Sequence, residues 1–84
     1  MTNVENTIQY RALEAYYRGE IAKAEANLSV YFNNSVGVGE HPDIIEVMDE
    51  QLDKLAQAKD KLESLRSLIL WGKVVLDIKL KDNK

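Results

Sequence analysis

The chain has 84 residues, 45% apolar and 30% charged, with a formal net charge of −3 and no cysteine. This composition fits one small folded domain of marginal stability rather than a disordered tail, and it excludes a disulfide framework or a thiolate metal site. The lysines are mostly interspersed with acids and form no basic stripe with interleaved aromatics, which argues against nucleic-acid binding.

Met1 to Asn6 is polar and acidic, so no signal peptide is expected there. The first helix is predicted over residues 3–32. Thr2 or Asn3 supplies the cap for the exposed amides of the first turn, and Glu5 suits the positive end of the helix dipole. Good helix formers fill most positions through Leu28. Two apolar stripes run along this segment at spacings of three and four. One is Tyr10, Leu13, Tyr17, Ile21, Ala24, Leu28 and Tyr31; the other is Ile8, Ala12, Ala15, Gly19, Ala22 and Ala26. At about 100° per residue they lie on opposite sides of the helix, and one hairpin partner covers only one of them. Gly19 costs about 1 kcal/mol relative to Ala in a helix interior. Either the close approach of another backbone offsets that cost, or Gly19 is a tolerated surface glycine.

Asn33 and Asn34 are candidates for closing the first helix. A loop is predicted over 33–42, punctuated by Gly37, Gly39 and Pro42. Gly37-Val38-Gly39 is too short for a phosphate-binding fingerprint and reads as turn chemistry. His41, the single histidine, lies near Glu40, Asp43 and Glu46. One imidazole with carboxylates at loop spacing is a weak metal signal, so no metal is expected, and a role in shaping the loop is the better reading.

The second helix is predicted over 43–71. Pro42 suits a first helical position, and Asp43 with Glu46 has the spacing of a capping box. Ile44, Met48, Leu52, Leu55, Ala58, Leu62, Leu65 and Ile69 follow one face, with Met48, Leu55, Leu62 and Ile69 seven apart, a coiled-coil-like seam. After Gly72 the rhythm changes. Val74, Leu76, Ile78 and Leu80 alternate with Val75, Asp77, Lys79 and Lys81, the pattern of a half-buried strand over 73–81. No second strand-like run exists to pair with it, so the strand needs a partner chain. The alternative is that the second helix continues and frays. The longest apolar run, Leu68 to Trp71, is far short of the roughly 20 residues that span a bilayer.

With one histidine and no cysteine, no nucleophile–base set can be assembled from the usual residues, and no enzymatic activity, cofactor or small-molecule substrate is expected. The stretch Asn33 to Ile44, with its Val-Gly-Glu-His-Pro-Asp core at 38–43, is followed by an acidic, lysine-rich leucine helix. It resembles small uncharacterised proteins of T4-like tailed bacteriophages, the cyanophage type. The resemblance covers about a third of the chain and carries over no functional residues. It implies a viral accessory or assembly protein in the cytoplasm of an infected bacterium.

The expected architecture is a mainly α antiparallel helical hairpin, one domain over 1–84, with the strand left open, assembling into a helical-bundle oligomer. Its expected function is that of a self-associating interaction protein or adaptor. The candidate contact residues are Ala12, Ala15, Tyr16, Gly19, Ala22, Ala26, Trp71, Val74, Leu76, Ile78 and Leu80. The alternative is a modulator or inhibitor of a host bacterial enzyme, bound through the C-terminal strand or the alanine-rich helix face.

Overall fold

The structure, a computed structural model, describes residues 3–33 and 43–82, with side chains described through Trp71. Two helices account for nearly all of it: α1, Ile8–Asn33, and α2, Ile44–Asp82, preceded by a single 3₁₀ turn at Val4–Asn6. The 33–42 loop lies outside the described residues except for its first, Asn33, which ends α1. The expectations for Asn34, Gly37, Gly39 and His41 therefore lie outside as well.

Helix α1 starts at Ile8 and not at residue 3, because Thr7 is the better cap. Asn3 makes no side-chain capping bond, and the chain instead closes a 3₁₀ turn through Asn6 N–H to Asn3 C=O at 3.0 Å and Thr7 N–H to Val4 C=O at 3.1 Å. Thr7 then takes an extended conformation (φ −85°, ψ 151°). Its hydroxyl donates to Val4 C=O at 2.8 Å and accepts from Tyr10 N–H at 3.1 Å. The second bond satisfies a donor that the first helical turn leaves without an intrahelical partner. The break also lets the 3₁₀ turn touch both helices. Thr7→Ala is expected to cost about 1 kcal/mol, and Thr7→Ser to retain most of it, which thermal unfolding followed by circular dichroism would measure.

Helix α2 opens with Val47 N–H bonded to Asp43 C=O at 3.1 Å, where the sequence places its start. It does not stop at Trp71. The backbone is helical through Asp82, so the alternation of Val74, Leu76, Ile78 and Leu80 produces no strand. A helix satisfies its own amides and carbonyls within the segment, whereas a lone strand leaves them unpaired. The cost of about 1 kcal/mol for one interior glycine at Gly72 is small beside several lost backbone bonds.

Two cross-helix contacts fix an antiparallel register. Asn27 Nδ2 donates to Gln51 Oε1 at 3.1 Å, and Arg66 Nε lies 3.7 Å from Glu14 Oε2. Counting outward from the second pair, Ile8 stands level with Gly72, so the remainder of α2 runs on past the start of α1. The seam between the helices buries Tyr10, Ala24 and Leu28 against Ala58, Leu62 and Leu65. Tyr17, Ile21 and Tyr31 on one side, with Ile44, Met48, Leu55 and Ile69 on the other, are half-buried along it. Leu13 and Leu52, assigned to the same stripes, are exposed because they sit at the stripe edges. The result is a rod of 70 × 20 × 14 Å with a radius of gyration of 19.4 Å. A compact chain of this length would have about 12 Å.

Candidate interaction surface

The hairpin buries one stripe of α1 and leaves the opposite one bare. Ala12, Ala15, Ala22 and Ala26 are exposed, and a methyl group placed on Gly19 would meet nothing within 4 Å. Ile8, 82% exposed, and Val30, 59% exposed, close the two ends of this face. Ile8, Ala15 and Ala22 lie seven apart, as do Ala12, Gly19 and Ala26. That repeat would let a second helix lie close against the backbone, since no bulky side chain stands in the way. Among the described residues no such helix lies on this face, and Gly19 there carries only its propensity cost.

Tyr16 stands beside this face and is 61% exposed. Its ring meets that of Tyr17 edge-on, with centroids 5.7 Å apart and an interplanar angle of 63°. Both tyrosines line a shallow groove along one side of the seam together with Glu20, Lys54 and Lys61. Trp71 lies about 12 Å along the rod from the middle of α2 at a helical rise of about 1.5 Å per residue, and it and its neighbour Leu70 are exposed apolar side chains, 64% and 67% accessible. Thus the structure places the alanine stripe and Tyr16 on one helix and Trp71 on the other. Val74, Leu76, Ile78 and Leu80 are on the helical extension of α2, and their side chains lie outside the description.

Charge is sorted by face. On α1, Glu14 and Glu20 point toward the seam, where they meet the cations of α2. Lys54 and Lys61 share the first groove with Glu20, and Lys59 and Arg66 line the other, in which Arg66 reaches Glu14. What remains faces outward. At 100° per residue, the outer half of α1 carries Arg11, Arg18 and Lys23 beside the alanine stripe, and its carboxylate, the exposed Glu25, lies at the edge next to Arg18. The centre of the outer face of α2 carries Glu46, Asp49, Asp53 and Asp60, all exposed, and its outer half has no cation among the described side chains. Only weak local contacts tie these groups down. Arg18 lies 3.9 Å from Glu14, and Gln57 Nε2 donates to Asp53 Oδ2 at 2.8 Å. Exposed pairs of this kind contribute about 0–1 kcal/mol.

The sequence reading identified the alanine stripe but missed this sorting. The signal was present in the positions of Arg11, Arg18 and Lys23 relative to Glu14 and Glu20. It becomes visible only once the buried stripe defines which way is out. Among the described residues no polar or charged side chain is buried, and no group of three histidine or acidic residues is placed to hold a metal ion. Among them, too, no helix is long and apolar enough to cross a membrane. The geometry therefore defines an elongated helical hairpin whose prominent chemistry is on its outer faces. Comparison with protein-family models, with curated proteins and with solved structures found no match.

Proposed function

We propose that this chain is a small non-enzymatic interaction protein that assembles with copies of itself, through its outer helix faces, into a helical-bundle oligomer. The observation that carries this reading is the bare stripe from Ile8 to Val30, with Gly19 open at its centre. The exposed surface supports it: 6740 Å² is accessible, against about 5,100 Å² for a compact chain of the same mass. A rod only two helices thick keeps much of its apolar side chain area in water, and lateral association is the simplest way to remove it. On the resemblance of residues 36–43 to small proteins of T4-like phages, the assembly is a viral accessory or structural component, or an adaptor, in the cytoplasm of an infected bacterium.

Size-exclusion chromatography with light scattering tests the central point. At high micromolar concentration the full chain is expected to elute with a mass at least twice its 9.6 kDa. A mass that stays at one chain throughout that range would refute self-association.

A further inference from the structure

The charge geometry points to a specific mode of assembly, which rests on the self-association reading: the outer face of α1 in one copy docks on the outer face of α2 in the next. The two faces are complementary in sign. Arg11, Arg18 and Lys23 border the alanine stripe against one exposed carboxylate, Glu25, at its edge, and Glu46, Asp49, Asp53 and Asp60 face outward on α2 with no cation beside them among the described side chains. They also match in length. By helical rise the cations extend over about 18 Å of α1 and the acids over about 21 Å of α2. To one side of this acidic row, the exposed Ala56 and Leu52 offer the stripe an apolar surface to lie on.

The competing arrangement joins two copies symmetrically through α1. With a two-fold axis at Gly19, Arg18 of each copy lies on the same side of the interface as its own counterpart, while Glu25 of one copy comes nearly level with Arg11 of the other, so this contact mixes charge pairs of both signs. Like charges placed opposite one another across an interface are repulsive. Contact between α1 of one copy and α2 of another brings opposite charges together instead. It is a heterologous contact, so each added copy presents a free basic edge and a free acidic edge, and growth continues until a ring closes or a filament forms.

Charge reversal on each edge separates the possibilities. One variant carries Arg11→Glu, Arg18→Glu and Lys23→Glu; the other carries Asp49→Lys, Asp53→Lys and Asp60→Lys. All six positions are exposed, and far-ultraviolet circular dichroism checks that each variant keeps its helices. In sedimentation velocity, each variant alone is expected to need at least about tenfold more protein than wild type to assemble, because its two edges now carry the same sign. An equimolar mixture of the two is expected to regain wild-type assembly, since every contact is again between opposite charges. Raising sodium chloride from about 50 to about 500 mM is expected to weaken wild-type assembly.

Undiminished assembly of the Asp→Lys variant alone overturns the proposal in favour of the symmetric α1 contact. A mixture that stays dissociated also overturns it. Wild-type protein that is monomeric at every salt concentration removes the self-association reading itself and leaves both faces to a different protein.

Discussion

Leu62→Ala is expected to lower the thermal unfolding midpoint by about 10–20 °C. Leu62 is one of six buried apolar residues among those described, and it sits on the seven-residue repeat of α2 with Ala58 and Leu65 buried on either side. Removing a buried leucine side chain loses its transfer free energy and leaves a cavity, together about 2–5 kcal/mol. A hairpin with a single seam can admit water to the gap, which places the cost toward the lower end, about 2–3 kcal/mol. For a domain of this size 1 kcal/mol corresponds to about 4–8 °C, and total stability is only about 4–12 kcal/mol. Leu70→Ala is the control: Leu70 is exposed in the chain, and its truncation is expected to change stability by about 0.5 kcal/mol or less. Equal midpoints for the two variants, measured by circular dichroism under conditions where both are monomeric, would show that the described seam is not the core.

Gly19→Leu is expected to move stability and assembly in opposite directions. In the single chain nothing approaches within 4 Å of the position a side chain would occupy. The Cβ of a leucine therefore meets no neighbour there, and the substitution removes a helix-interior glycine, worth up to about 1 kcal/mol. Dilute protein should melt several degrees higher. At the centre of the alanine stripe, the same leucine holds an incoming helix away from Ala15 and Ala22. The mass observed by light scattering at high micromolar concentration should fall toward that of one chain. A variant that is stabilised and still assembles as wild type would free the stripe of any role in docking. The pairing of signs distinguishes this effect from simple unfolding, which would lower both.

Much of the fold is legible in the sequence because helices are specified by neighbours three and four residues apart. The stripe from Tyr10 to Tyr31 and the seam from Ile44 to Ile69 both emerge from that spacing. Two local readings failed for identifiable reasons. Asn3 is a good capping residue in isolation, but Thr7 makes two bonds at once and allows the 3₁₀ turn to reach α2. The alternation from Val74 to Leu80 has the rhythm of a strand, yet no other strand is there to take its backbone bonds, and the helix of α2 propagates through it. The outward charge pattern was unreadable for a different reason. Which side of a helix faces solvent is a property of what packs against it, and a list of charges does not contain that.

By itself the sequence determined that the chain forms two amphipathic helices, that the first has two apolar sides, and that cysteine chemistry is absent. Tertiary structure decided which side is hidden. The leucine seam of α2 takes the stripe holding Tyr10, Tyr17 and Leu28, because large side chains bury more apolar area than alanines do, at about 25 cal/mol per Å². The pairing of Glu14 with Arg66 and of Asn27 with Gln51 then sets the register. With inside and register fixed, the cations of α1 and the acids of α2 are left facing outward. Contacts between residues far apart in the chain make that choice, and the local periodicity of either helix is the same whichever stripe is buried.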